Sequence, residues 1–288
     1  MRLLVIGASG LVGGAVYRLA QKHGWLVVGT STQGNELFQK YDVLSDSPER
    51  LGDFITLNRD TVAVIAAAKT NIAWCSEHQA EAYAINVDSV KRLLTYLTAH
   101  GVRTLYYSSD AVFNGNFGNY TEASFKEPLN IYGKQKAEME DWLSSNLPSV
   151  LVYRLAKLVD SSQYRRHLFS DFYQQYQAKQ EIRCIDGLTF NPTAVDDIAA
   201  CSLIGLERGL CGLYNVANGE IFTREQIARI FFQGKDCKIS SMSLANWHFR
   251  EPKALNTTLN TEKFIQKTNY IFKSMYDLTD EFWGNLVV

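Results

Sequence analysis

Along its first half the chain alternates short, largely apolar runs with longer stretches whose apolar residues recur every three or four positions. The runs fall at residues 3–6, 26–28, 62–66, 104–108 and 150–155. Runs of this length and composition mark strands covered on both faces, as in a parallel sheet. Between them the apolar period is that of a helix. Over residues 11–23, Val12, Val16, Leu19 and Ala20 share one face, Lys22 and His23 fall in the last turn, and Gly24 supplies the stop. Over residues 86–100, Val90, Leu93, Leu94 and Leu97 do the same before Gly101. Residues 131–145 read as a third helix. The alternation predicts βαβ units, and so an α/β chain with a Rossmann-type, doubly wound parallel sheet.

The second half is less regular. Asp196 or Asp197 is the expected cap of a helix reaching Arg208 and closed by Gly209, and residues 213–216 read as a strand. Thr223 and Gln226 form a capping box ahead of Ile227, Ile230 and Phe231. Phe169, Phe172, Tyr173 and Tyr176 recur at helical spacing, as on a packed or dimerising helix. No Pro/Gly/Ser-rich linker separates the halves. We therefore expect a dinucleotide-binding domain over 1–154, to which 192–217 returns, and a smaller substrate lobe over 155–191 and 218–288 packed against it.

Composition narrows the function classes. With 46% hydrophobic residues the chain can bury a large core, and a net charge of −1 offers no electrostatic footing for nucleic acid or an anionic membrane. The start is charged and then apolar, like a signal peptide, but the run stops at Gly7 and a glycine pattern follows. The longest later apolar run, 62–68, is far short of the roughly 20 residues that span a bilayer. Cys75, Cys184, Cys201, Cys211 and Cys237 are scattered without a CxxC pair, which reads as buried thiols in a reducing cytoplasm. His23, His78, His100, His167 and His248 show no metal-ligand spacing, so no metal is expected and solvated or capping roles are.

Gly7, Gly10 and Gly13 form G-x-x-G-x-x-G between the first apolar run and the first helix. The first glycine permits a tight turn. The second lets the backbone approach a pyrophosphate at the helix N-terminus, and the third lets helix and strand pack closely. A nicotinamide dinucleotide is therefore the expected cofactor. Such folds often carry an acid at the end of the second strand to hold the ribose hydroxyls. Here that stretch is Gly29-Thr30-Ser31-Thr32. The missing carboxylate, which would repel an extra phosphate, tilts the reading toward NADP(H), with NAD(H) the alternative. Lys40 is the nearest following base, and Asp42-Val43 follows as a candidate for the adenine edge or for a strand cap.

Tyr132 and Lys136 lie four apart on a predicted helix and share a face. A neighbouring ammonium stabilises a phenolate, and lowering a tyrosine pKa from about 10 to about 7 takes roughly 4 kcal/mol of differential interaction. Such a tyrosine can give a proton to a carbonyl oxygen as hydride arrives. Ser108-Ser109-Asp110 ends the preceding predicted strand, where ligands of parallel sheets bind, and a serine hydroxyl there can hold the substrate oxygen. A solvated Tyr–Lys pair or a serine bonding backbone explains each feature alone. The glycine turn, the serine and the pair together are much harder to dismiss, and such a tyrosine can equally take a proton in the reverse direction.

GASGLVGG, AAAKTNIAWCSE, AINVDSVKRLL, SSDAVFNG, NIYGKQKAE and NPTAVDDIA occur in that order. The series resembles the extended short-chain dehydrogenase/reductases, and within them the deoxythymidine-diphosphate 4-keto-rhamnose reductase (dTDP-4-dehydrorhamnose reductase) family. SSDAVFNG is similar to that family's S-T-D-x-V-F-x-G. Arg250-Glu251-Pro252, Leu255-Asn256-Thr257 and Leu259-Asn260-Thr261-Glu262-Lys263 resemble its R-P-x-N-x-x-L-D-x-x-K segment. The likeness covers nearly the whole chain.

The resemblance implies NAD(P)H-dependent reduction of a nucleotide-activated 4-keto sugar. Tyr132 is then the acid/base, Ser109 the catalytic hydroxyl, and Lys136 also holds the nicotinamide ribose. Gly7, Ser9, Gly10, Leu11 and Val12 line the pyrophosphate, and Ala66, Ala67 and Ala68 flank the adenosine side. Gly13, Thr30, Ser31, Asp42, Val43 and Ser108 complete the expected cofactor site. Lys69, Ser109, Asp110, Lys157, Asn191 and Pro192 make up the expected substrate site, and the superfamily implies a homodimer. Two residues depart from the family. Lys157, in Leu155-Ala156-Lys157, replaces an aromatic, and Lys69 replaces an uncharged residue. Both add positive charge, which predicts weak activity on the ordinary dTDP-4-keto-6-deoxy sugar and better activity on a substrate with an extra anionic group or another nucleotide. Epimerisation is an alternative, and dehydration is disfavoured because Ala111, not a glutamate, follows Asp110. A non-catalytic subunit is a third reading, since some relatives regulate methionine adenosyltransferase.

Overall fold

The expected apolar runs become one parallel sheet. Its strands are β1 (Arg2–Ile6), β2 (Leu26–Ser31), β3 (Gln39–Lys40), β4 (Thr61–Ile65), β5 (Arg103–Ser109), β6 (Leu151–Leu155) and, at one edge, Gly212–Val216. The order across the sheet is Gly212–Val216, β6, β5, β4, β1, β2, β3, and each pairing is parallel. The computed structural model describes residues 1–52, 54–55, 60–164, 167–247 and 251–286.

Strand residues point alternately to the two faces, and both faces are covered. Leu3, Val5, Val62, Val64, Leu105 and Tyr107 pack in a core with helix α1 (Leu11–Lys22) and the Val195–Glu207 helix. Leu4, Ile6, Ala63, Ile65 and Tyr106 pack on the other face with the helices Ser89–Ala99 and Ile131–Asn146. This is a Rossmann-type doubly wound sheet. Chain order reverses between β1 and β4, and ligands of such sheets bind in the crevice beyond the strand ends there. A third core, built around Phe169, Phe172, Phe231, Phe232 and Phe282, forms the smaller lobe. The aromatic stretch at 169–176 thus belongs to the packed Leu168–Gln177 helix, with Phe169 and Phe172 fully buried.

Several local expectations change. The helix expected from residue 86 begins earlier, running from Gln79–Tyr83 through a π-helical turn, Ala84–Asp88, into Ser89–Ala99. Neither Asp196 nor Asp197 caps the Val195–Glu207 helix. Ala194 holds the cap position, and the Asp197 carboxylate accepts from the Tyr270 hydroxyl at 2.8 Å and the Lys273 amide at 3.0 Å. Within 218–288, the stretch assigned to the lobe, Glu262–Thr268 packs on the sheet instead, because Phe264 inserts between Tyr153 and Tyr214. Thr223 and Gln226 do form the reciprocal capping box. Cys75, Cys184 and Cys201 are buried free thiols, but Cys211 is exposed and Cys237 is half-buried. His167 is a capping histidine at the start of Leu168–Gln177. His248 and Arg250 lie outside the described residues.

One buried ion pair joins the elements that surround the site. The Glu140 carboxylate accepts from Arg154 Nε at 2.8 Å and Nη2 at 2.7 Å, and from the Ser108 hydroxyl at 2.5 Å. Arg154 also donates to the Thr121 carbonyl at 3.2 Å and lies 4.9 Å from the Phe113 ring. Removing one partner of such a pair strands the other charge, which costs about 3–5 kcal/mol, whereas replacing both with apolar residues is far milder. Urea unfolding should therefore show Glu140→Leu losing about 3–5 kcal/mol and the double variant Glu140→Leu/Arg154→Met recovering most of it. A single-variant loss below about 1 kcal/mol would mean that water reaches the guanidinium.

Candidate active site

The glycine turn is shaped by contacts that a side chain would break. Gly7 has φ of +88°, and a Cβ there would sit 2.6 Å from the Ala67 amide nitrogen. A Cβ on Gly13 would come within 2.3 Å of the Gly7 carbonyl oxygen, so this glycine serves close helix–strand packing. Gly10 opens α1 with no side-chain cap, which leaves first-turn N–H groups for an anion. A Cβ on Gly10 meets only the Gly7 oxygen, at 3.2 Å, so a larger side chain there would project into the adjoining groove. That groove, about 350 Å³, is lined by Gly7, Ser9, Gly10, Ser31, Thr32, Asp42, Val43, Ala66, Ala67, Ala68 and Lys69.

Ala66, Ala67 and Ala68 also line a second cavity, about 460 Å³, so the two adjoin. Val12, Ser108, Ser109, Asp110, Tyr132, Lys136 and Lys157 line this second cavity. Asn130 caps the Ile131–Asn146 helix by accepting from the Gly133 amide at 2.9 Å. A Cβ on Gly133 would lie 2.2 Å from the Ala111 carbonyl, so the first turn of the helix sits directly on the loop after Ser109. Lys136 is buried. Its ammonium donates to the Tyr106 hydroxyl at 2.9 Å and the Tyr107 carbonyl at 2.8 Å, and lies 5.8 Å from the Tyr132 ring centre. The Ser109 hydroxyl donates to Asp110 at 3.0 Å, and Thr257 donates to the other Asp110 oxygen at 2.6 Å.

The sequence pattern described as "RmlD substrate binding domain" matches residues 1–277. The chain belongs to that family. Methionine adenosyltransferase 2 subunit beta of Bos taurus is 32% identical over 160 residues, 54% of this chain. The match covers 47% of that subunit, so the chain spans about half the length of this relative. dTDP-4-dehydrorhamnose reductase of Salmonella typhimurium is 24% identical over 286 residues, 94% of this chain and 93% of that one. The solved structure of dTDP-4-dehydrorhamnose reductase from Bacillus anthracis in complex with NADP superposes with a TM-score of 0.83 at 17% identity, covering 99% of this chain and 98% of that chain.

In this RmlD-family chain some expected site residues stand elsewhere. Lys69 lines the glycine groove rather than the second cavity and lies 5.1 Å from the Trp74 ring centre. The cause is Asn86 in the π-helical turn. Its side chain accepts from the Lys69 amide and donates to the Lys69 carbonyl, both at 2.9 Å, which fixes that backbone. Asn191 and Pro192 are buried and line neither cavity. The Asn191 amide donates to the Asn218 carbonyl and accepts from the Leu259 amide, each at 2.8 Å, so it clamps segments beneath the site. Thr30 is buried, and its carbonyl accepts from the Ala8 amide at 2.8 Å, which holds the turn from behind. Leu11 packs into the first core. The Ser108 hydroxyl is spent on Glu140.

The residues that sequence reasoning missed come from distant segments. Arg224, Lys253 and Thr257 line the Ser109–Tyr132 cavity. Lys253 and Thr257 fall within the C-terminal stretch singled out above, and the signal there was proximity to those residues. Arg224 had none, since it reads as an ordinary first-turn residue after a capping box.

The electrostatics also differ from the expected pairing. Burial, then the charge of Asp110, push the Tyr132 pKa upward, while a hydrogen bond with Ser109 opposes them. Burial pulls the Lys136 ammonium down to about 7. Because that ammonium is turned to Tyr106 and Tyr107, it does not lower Tyr132 here. Asp110 is itself raised, first by burial. A raised phenol stays protonated at neutral pH and is ready to donate. In an ultraviolet titration of the ligand-free protein, the difference between wild type and Tyr132→Phe should show no phenolate below the ordinary tyrosine value of 10.0. A phenolate step near neutrality would restore the depressed-tyrosine reading.

Proposed function

We propose that the protein is an NAD(P)H-dependent reductase of a nucleotide-activated 4-keto sugar. The observation that supports this most directly is the meeting of Ser109, Tyr132 and Lys136 in one cavity that adjoins the glycine groove. The names of the Salmonella and Bacillus relatives agree with it. The groove fits a dinucleotide on its own terms, because Gly10 leaves room at the uncapped start of α1. When bound, the cofactor supplies hydride. The chain's own groups do the rest. Ser109 turns its hydroxyl from Asp110 to donate a hydrogen bond to the substrate carbonyl oxygen, and Tyr132 delivers its proton to that oxygen. Lys136 holds a ribose hydroxyl, and its positive charge stabilises the phenolate left on Tyr132 once the proton has gone to the substrate oxygen. NADP(H) is preferred in this reading because β2 ends in Thr30-Ser31 with no carboxylate and Lys40 pairs in register with Ser31; Asp42 and Glu81, and not Lys40, line the groove itself.

The bovine relative supports a second reading, a nucleotide-binding regulatory subunit that keeps the fold. The full Ser109–Tyr132–Lys136 set favours the enzyme. None of the described helices is long and apolar enough to cross a membrane.

Calorimetry should report one NADPH site per chain, lost in a folded Gly10→Val variant. Unchanged affinity there would defeat the groove assignment. On a nucleotide-activated 4-keto sugar, Tyr132→Phe should keep NADPH binding and lose about a hundred- to ten-thousandfold in turnover. A wild-type protein that binds NADPH and reduces no such sugar would favour the regulatory reading.

A further inference from the structure

The Asp110 carboxylate joins the Ser109 hydroxyl to a segment from the far end of the chain. Ser109, Asp110 and Thr257 are each half-buried in the wall of one cavity. Ser109 Oγ accepts from the Ala111 amide at 3.2 Å and donates to Asp110 Oδ1 at 3.0 Å. Both contacts lie within the turn at Asp110–Val112, and by themselves they do not fix the plane of the carboxylate. Thr257 supplies the second anchor. Its hydroxyl donates to Asp110 Oδ2 at 2.6 Å, the length of a strong charge-assisted bond.

Thr257 is itself held from two sides. Toward the loop after Ser109, the Asn256 amide donates to the Gly115 carbonyl at 3.1 Å, and the Thr258 carbonyl accepts from the Tyr120 amide at 2.8 Å. The loop comes so close here that Gly115, with φ of +78°, could carry a Cβ only 2.8 Å from the Ala254 side chain. Toward the smaller lobe, the Leu255 carbonyl accepts from the Thr189 amide at 2.7 Å. The Thr257 hydroxyl therefore reaches Asp110 only when loop, lobe and C-terminal segment are seated together.

In the reduction proposed above, Ser109 gives its hydrogen bond to the substrate oxygen and vacates Asp110 Oδ1. A 4-keto sugar with a hydroxyl at C3 carries that hydroxyl beside the carbonyl, where it can donate to the vacated oxygen. The exchange needs a carboxylate that stays ionised and does not follow Ser109. The groups that face Asp110 are Tyr132 and Lys136 from the helix, Arg224 from the lobe, and the exposed Lys157 and Lys253. Burial raises the Asp110 pKa. The largest opposing effect is the Thr257 bond, ahead of the Ser109 bond and of the Lys157 and Lys253 charges.

We propose that Thr257 is a positioning residue for the reduction: it holds the Asp110 carboxylate in place while Ser109 leaves it for the substrate, so that Asp110 accepts the sugar hydroxyl beside the carbonyl. This rests on the nucleotide-sugar reading above.

Carbon-13 NMR of the full chain, labelled at its aspartate carboxyl carbons, tests the first half without substrate, and Asp110→Asn assigns the signal. Thr257→Val should raise the Asp110 midpoint by about one to two pH units, because a donor to the charged form is lost, and Thr257→Ser should leave it in place. With NADPH and dTDP-4-keto-6-deoxyglucose, Thr257→Val should lose about ten- to a hundredfold in kcat without a change in NADPH affinity. The acid limb of its rate profile should move to higher pH with the carboxyl, since protonated Asp110 carries a proton where the sugar hydroxyl must donate. Thr257→Ser should restore both. If Thr257→Val fails to fold, Thr257→Ala removes the same donor and is read in the same way. An unchanged Asp110 midpoint, an unchanged rate, or a slower rate with the acid limb unmoved overturns the inference and leaves Thr257 as a brace for its segment. Each of those outcomes keeps the nucleotide-sugar reading, because the wild type still reduces the probe. A wild type that binds NADPH and reduces no nucleotide-activated 4-keto sugar removes that reading and this inference with it.

Discussion

The Glu140 carboxylate is the contact on which the geometry of the site depends. It lies on the same helix face as Lys136 and Tyr132, at successive spacings of four. By accepting from Ser108 on β5 and from Arg154 on β6, it fixes that helix against both strands. One and two turns earlier, Lys136 and Tyr132 are thereby delivered to the end of β5, where Ser109 stands. Lys126, 3.5 Å from the same carboxylate, ties in the loop that leads to the helix. A charge this deep is tolerated because its acceptor sites are filled.

The two lobes divide the work of the site. The sheet supplies the glycine groove, the serine and the tyrosine–lysine helix. The smaller lobe and the C-terminal segment supply Arg224, Lys253 and Thr257. Thr257 connects the halves, since its hydroxyl bonds Asp110, the neighbour of Ser109. Asn191, Asn215 and Asn218 sit beneath the junction. Asn215 donates to the carbonyls of Tyr120 at 2.8 Å and Asn260 at 3.0 Å, so buried amides replace a linker between the lobes. Their side-chain N–H groups are paired and tie these segments together, while the buried Asn215 side-chain oxygen has no hydrogen-bond partner.

The protonation pattern fits the proposed chemistry. A phenol held neutral by burial is an acid, and in the reductase reading it would donate to a developing alkoxide. Burial pulls the Lys136 ammonium down to about 7 in the same pocket, so its charge is sensitive to what it touches. A bound ribose hydroxyl in place of the Tyr106 hydroxyl would alter both groups together.

The parallel sheet, α1 with its glycine turn, and the helix carrying Tyr132 and Lys136 were all legible in the residues, because each is dictated by local period, by glycine geometry or by spacing along one helix. So was the meeting of Ser109 with that helix, since adjacent βαβ units have few ways to pack. The turn of Lys69 into the groove was not legible. It follows from Asn86, seventeen residues on, whose amide grips the Lys69 backbone. Nor was Asn191 legible as a clamp, because its partners, Asn218 and Leu259, are remote in sequence. The sequence by itself determined the fold class and singled out Ser109, Tyr132 and Lys136 as candidates, because both depend on short-range pattern. Only the tertiary structure decided which cations share the cavity and which way Lys136 points, because charges separated by many residues interact through space and not along the chain.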